Sequence, residues 1–149
     1  MKPIPFPYAL NIGTDIVHIP RITRLLRRGD YLTRFVRRIL HDQEQHDFRT
    51  RFALPPLPPV NHRPHPPSPP PVSADMARWL AGRFAAKEAA RKAAPGGAAS
   101  LGWKDVLVRV GQGEATGRPE VVYTGEGRVG KLSISHDGEY VVATVLAAG

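Results

Sequence analysis

The residues most able to do chemistry lie in the stretch 73–94, SADMARWLAGRFAAKEAARKAA. One carboxylate, Glu88, stands there among Arg83, Lys87, Arg91 and Lys92. A second acid, Asp15, interrupts the apolar run 10–17, LNIGTDIV. Carboxylates can hold a hard divalent cation, and cations can hold phosphate oxygens and neutralise a leaving group. The same spacing also describes a solvated helix with an ordinary Glu88–Lys92 ion pair. Asp15 is equally suited to end a strand and cap the next helix, because an inward acid without a partner is costly. The helix alone does not decide between these readings. The chain contains no cysteine, which excludes disulfides, thiolate zinc sites and cysteine nucleophiles. His62 and His65 have no other ligand type beside them, so they make a poor metal site.

The elements that must position these residues follow from local pattern. Ser73 is a suitable N-cap, Asp75 suits the first turn, alanine is frequent, and Pro95-Gly96-Gly97 stops the run. At i, i+4 spacing, Phe84, Glu88 and Lys92 share one side of this helix. Arg83, Lys87 and Arg91 share the neighbouring side. Residues 10–17 read as a strand. Pro20 opens a helix over 21–28 with Ile22, Leu25 and Leu26 apolar and Arg21, Arg24, Arg27 and Arg28 around them. Gly29-Asp30 breaks it. A second short helix, about 31–40, turns Leu32, Phe35, Val36 and Ile39 inward and Arg34, Arg37 and Arg38 outward. Strands are predicted at 103–110, 118–123, 132–136 and 140–146, with Asp137-Gly138 as a tight hairpin signal. The order predicts one α+β domain over 1–149: an antiparallel sheet with a long central helix packed on one face.

Between about 54 and 72 the chain is a proline-rich insertion, with ten of the 16 prolines at 55–71. It is expected to be a disordered or polyproline-II loop. The net charge is +8, from 21 Lys+Arg against 13 Asp+Glu. Residues 18–51 hold nine arginines and no lysine, and arginine binds carboxylate and phosphate in a forked geometry. Anionic partners are therefore expected: an acidic protein, a phosphorylated ligand, nucleic acid or a membrane surface. No apolar run approaches membrane-span length, and the N-terminus does not read as a signal or transit peptide.

Four segments together resemble the holo-[acyl-carrier-protein] synthases, the small 4′-phosphopantetheinyl transferases. Gly13-Thr14-Asp15-Ile16-Val17 with Arg21-Ile22 resembles their N-terminal motif, and Arg83-Phe84-Ala85-Ala86-Lys87-Glu88-Ala89 with Lys92-Ala93 their central helix. Gly117-Arg118-Pro119 resembles their strand entry, and Ser133-Ile134-Ser135-His136 with Tyr140 their C-terminal hairpin. The proline-rich insertion makes the chain look more like fungal stand-alone members, which are associated with mitochondrial acyl carrier protein.

The resemblance implies transfer of the phosphopantetheine arm of coenzyme A to a carrier serine, releasing adenosine 3′,5′-bisphosphate. It assigns magnesium to Asp15 and Glu88, leaving-group stabilisation to Lys92, and coenzyme phosphates to Arg83, Lys87 and His136. Arg21, Arg24 and Arg28 would meet an acidic acyl carrier protein. It also implies a homotrimer and a mitochondrial location, with the cytoplasm as the alternative. Two other readings of the basic chain remain: a nucleic-acid-binding protein, or an interaction module that keeps the fold without the chemistry. No recognised nucleic-acid motif is present, and Asp15, Glu88 and Lys92 are all retained.

Overall fold

The computed structural model describes residues 1–56, 71–112 and 116–149. The body of the proline-rich insertion, with His62 and His65, lies outside the described residues.

Alternation of apolar residues builds the strands. β1 (Leu10–His18), β2 (Val106–Val110), β3 (Pro119–Tyr123), β4 (Arg128–Asp137) and β5 (Tyr140–Ala148) form one sheet in the order β1-β5-β4-β3-β2. Every pairing is antiparallel, with Asp15 opposite Ala143 and Ile134 opposite Ala143 on the other side. The expected α+β architecture is therefore present, with strands β4 and β5 longer than the sequence pattern marks them.

α1 (Ile19–Leu26) carries Pro20 in its first turn and buries Ile22 and Leu26. It ends before Arg27 and Arg28, two residues short of the expected boundary. α2 (Tyr31–Ile39) buries Leu32, Phe35, Val36 and Ile39, the four positions that the spacing turns inward. α3 (Asp42–Arg51) has no counterpart among the elements read from sequence. Its only buried residues are Phe48 and, unexpectedly, Glu44.

α4 (Ala74–Ala93) is capped by Ser73, whose Oγ accepts from Met76 N at 3.1 Å. Ala77, Ala81, Ala85, Ala86, Ala89, Ala90 and Ala93 are all buried. Small side chains let the helix lie close to the sheet, and the closest approach is at Gly13. A Cβ there would stand 2.0 Å from the carbonyl oxygen of Ala89 and 2.9 Å from Lys92 Cβ. Only glycine allows β1 to cross α4 at backbone distance. This crossing brings Asp15, two residues along the strand, to Lys92, one turn beyond Glu88 on the helix. One residue on from Ala89, Ala90 O accepts from the Tyr123 hydroxyl of β3 at 2.7 Å.

Candidate active site

Asp15 leaves β1 on the helix side of the sheet, in step with Gly13 and Val17. Its Oδ1 accepts from Lys92 Nζ at 2.9 Å, and the same ammonium donates to the carbonyl of Thr14 at 2.9 Å. Asp15 therefore does not cap α1, whose N-cap residue is His18. Lys92 does not pair with Glu88, as the i, i+4 spacing suggested; the crossing strand offers it a nearer carboxylate. Glu88 lies one turn before Lys92, about 6 Å along the axis. Its Oε1 accepts from Arg91 Nη1 at 2.8 Å and from the indole N–H of Trp103.

The two carboxylates are thus held, each through one oxygen. Asp15 Oδ2 and Glu88 Oε2 take no hydrogen bond among the described residues, and the side chains are 18% and 22% exposed. A hard cation needs such oxygens, reachable from solvent and close to anionic ligand atoms. Among the described residues no group of three His, Asp or Glu gathers at one point. The residues fit magnesium in the manner of a substrate-completed site, with two carboxylates at most from the protein.

Arg91 organises the segment beyond the helix. Its guanidinium donates to Leu101 O at 2.7 Å and Ala98 O at 2.9 Å as well as to Glu88. That brings Trp103 over the helix and supplies the second donor to Glu88. Neither Arg91 as an organiser nor Trp103 as a donor is marked by sequence, because both contacts cross a loop of irregular backbone.

Lys87 was expected at coenzyme phosphates, but the fold points it into the core. Its ammonium is 0% exposed and lies 2.6 Å from the equally buried carboxylate of Glu44. It also donates to the carbonyls of Trp103, at 2.9 Å, and Val106. In this position it reaches no surface phosphate; it joins α4 to α3 and to the start of β2. Burial pushes its pKa down, and Glu44 opposes that shift. Glu44 also accepts from His41 N at 2.9 Å and Val108 N at 3.4 Å, so one carboxylate serves as helix cap and core counter-ion. Arg83 stacks over Trp79, 4.4 Å from the ring centroid, and approaches Glu44 to 3.7 Å. Burial lowers its pKa too, and its Nε is buried without a hydrogen bond.

His136 stands in β4, opposite Val141, rather than at the tip of the hairpin. Its register sets it on the face that carries Asp15, exposed at one end of the sheet. Of the arginines expected at a partner surface, Arg21 lines a cavity of about 600 Å³ with Ile22, Leu25, Phe35, Phe84 and Trp103. Arg34, Arg37 and Arg38 of α2 line it as well, which the sequence reading did not assign. Arg24 and Arg28 are exposed but lie outside it. The floor is apolar and the rim is guanidinium.

Residues 11–145 match the 4′-phosphopantetheinyl transferase superfamily. The chain is similar to the mitochondrial 4′-phosphopantetheinyl transferase B of Aspergillus fumigatus, 68% identical with all of both chains covered. It is similar to the holo-[acyl-carrier-protein] synthase of Gloeobacter violaceus, 40% identical over 93% of this chain and 92% of that one. Among solved structures, the holo-(acyl-carrier-protein) synthase of Bacillus anthracis in complex with CoA (3′,5′-ADP) superposes with a TM-score of 0.61. That pair is 28% identical, covering 93% of this chain and 96% of the other.

Proposed function

The chain belongs to the 4′-phosphopantetheinyl transferase superfamily, and from that premise we propose how its own residues carry out the transfer. It is a holo-[acyl-carrier-protein] synthase. Coenzyme A is the donor, and a serine hydroxyl of an acyl carrier protein is the acceptor. The serine oxygen bonds to the phosphorus that bears the pantetheine arm. The pyrophosphate bond breaks, adenosine 3′,5′-bisphosphate leaves with the bridging oxygen, and the serine proton is released. Phosphoryl transfer of this kind needs positioning and charge stabilisation above all.

The observation that carries the reading is the crossing of β1 and α4, where Lys92 meets Asp15 one turn from Glu88. Asp15 and Glu88 would hold magnesium through their unused oxygens. When bound, the ion supplies a clamp on the pyrophosphate and neutralises charge as it develops. Lys92 is free to exchange Asp15 for a phosphate oxygen, because its side chain is nearly half exposed. Its ammonium then stabilises the departing bisphosphate. His136, exposed on the same sheet face, is placed to take a coenzyme phosphate. Arg83, its side chain 19% exposed, keeps a smaller share of that role, and Lys87 acts by holding α4 in place.

The cavity between α1, α2 and Trp103 is the docking face for the carrier. An apolar floor with a guanidinium rim suits an acidic amphipathic helix, with Arg21, Arg34 and Arg38 at the rim. Arg24 and Arg28 extend the same charge outward.

The sheet face away from the helices exposes Ile12 (69%) and Ile16 (61%), with Leu10 and Leu146 beside them. A contiguous apolar face of this kind marks a contact surface. We extend the reading to a homotrimer that covers it and brings neighbouring protomers to the site. Likeness to a relative named as mitochondrial supports a mitochondrial location. The test of the function is mass spectrometry of an apo acyl carrier protein incubated with coenzyme A, magnesium and this protein. Addition of one phosphopantetheine is expected; an unmodified carrier would overturn the reading.

A further inference from the structure

Trp103 touches both halves of the proposed site. Its indole N–H donates to Glu88 Oε1, the oxygen that also receives Arg91 Nη1 at 2.8 Å. The guanidinium groups of Arg38 and Arg91 lie over its ring, each 5.2 Å from the centroid. Phe84 packs against it at 6.3 Å between centroids. The same ring lines the 600 Å³ cavity together with Arg38 and Phe84.

We propose that Trp103 is a positioning residue that fixes the Glu88 carboxylate for the divalent ion and ties it to the carrier cavity. This rests on the reading of Glu88 as a metal carboxylate. A glutamate on a helix surface has several open rotamers. Two donors on one oxygen select one of them and leave Oε2 turned away from both, available to a cation. Arg91 supplies one donor but is already shared with the carbonyls of Leu101 and Ala98. Trp103 supplies the neutral one, from a rigid ring that cannot follow the carboxylate if it turns. The hold on the ring comes partly from Arg38, a cavity residue, so whatever fills the cavity acts on Glu88 through a single side chain.

The full-length protein with Trp103→Phe keeps a ring for Arg38 and Arg91 to stack on and loses only the N–H. Loss of a group that orients a metal ligand typically costs about 10- to 100-fold in metal affinity or activity. The magnesium concentration for half-maximal rate is expected to rise by that factor, while the melting temperature stays near the wild-type value. A second readout needs no turnover. The chain has two tryptophans, so Trp79→Phe leaves Trp103 as the single emitter. With coenzyme A present and no carrier, magnesium should change its emission in a saturable way, and adding Glu88→Gln should abolish the change. A wild-type magnesium dependence in Trp103→Phe, or a flat emission titration in Trp79→Phe, would overturn the proposal. If Trp103→Phe does not fold, the emission titration decides. An inactive Glu88→Gln beside a Trp103→Phe with wild-type magnesium dependence would remove only the role of Trp103. A fully active Glu88→Gln would remove the metal reading beneath it.

Discussion

Lys92 Nζ on α4 sits 2.9 Å from Asp15 Oδ1 on β1, residues 77 apart in sequence. Lys92 is nearly half exposed and Asp15 18% exposed, and ion pairs open to solvent contribute about 1 kcal/mol or less. Lys92→Met should therefore unfold at nearly the wild-type denaturant concentration. Its turnover should fall by roughly 100-fold or more, the usual loss when one preorganised charge donor is removed from developing charge. Turnover close to wild type would leave Lys92 as an ion-pair partner and nothing else.

Arg21 lines, from α1, the cavity proposed to dock the carrier. Arg21→Glu reverses a charge at the rim, and like charges facing one another there should raise the carrier KM by more than roughly tenfold. The KM for coenzyme A should hold. Wild-type turnover at low carrier concentration should fall as salt rises, since screening acts over about 10 Å at 0.1 M. Steady-state kinetics against each substrate in turn checks this; an unchanged carrier KM would take Arg21 out of the docking face.

Glu44 and Lys87 form an ion pair with no exposed surface, at 2.6 Å. Removing one partner of such a pair leaves a buried charge alone, at a cost of about 3–5 kcal/mol. Glu44→Gln and Lys87→Met should each lower the denaturant midpoint by a corresponding amount. The double variant should recover much of the loss. Equal stability in Glu44→Gln and the wild type would mean that the pair contributes nothing to holding α3 and β2 on α4.

The Tyr123 hydroxyl is buried, and burial pushes its pKa up from 10.0 to about 12. The folded state thus keeps the phenol proton where the unfolded chain has lost it. Stability from this group is fully present below about pH 10 and drains away as pH rises toward about 12. Denaturant midpoints measured at pH 9 and pH 11 should fall for the wild type and fall less for Tyr123→Phe. Identical slopes would show that the phenol titrates as in the unfolded chain.

Much of the architecture was legible because its signals are local. Ser73 and Pro95 bound α4, Asp137-Gly138 marks the β4–β5 hairpin, and the spacing in α2 names its buried residues. The meeting of Asp15 with the helix was less so. It depends on Gly13, whose absent side chain lets two elements touch. Helix α3 was missed because Asp42–Arg51 has no apolar stripe; it buries one phenylalanine and a carboxylate. The expectation for Lys87 went astray for a related reason. In an alanine-rich helix most faces look alike, so nothing local tells which lysine points at the sheet and which at solvent. Only tertiary packing, with Glu44 waiting on another helix, draws Lys87 inward.

The central claim is that Glu88 and Asp15 share a magnesium ion that serves the transfer. The measurement that tests it most directly compares wild type and Glu88→Gln for magnesium binding by calorimetry, with coenzyme A present, and for phosphopantetheine transfer to the carrier by mass spectrometry. If Glu88 only paired with Arg91 and Trp103, the substitution would cost a partly exposed ion pair, about 1 kcal/mol or less, and little activity. The account predicts a folded Glu88→Gln protein that binds magnesium weakly and transfers slower by orders of magnitude. Asp15→Asn should behave alike, and the double variant should be scarcely worse than either, because residues acting as a unit are not additive. A Glu88→Gln protein with wild-type magnesium affinity and near wild-type transfer would contradict the account.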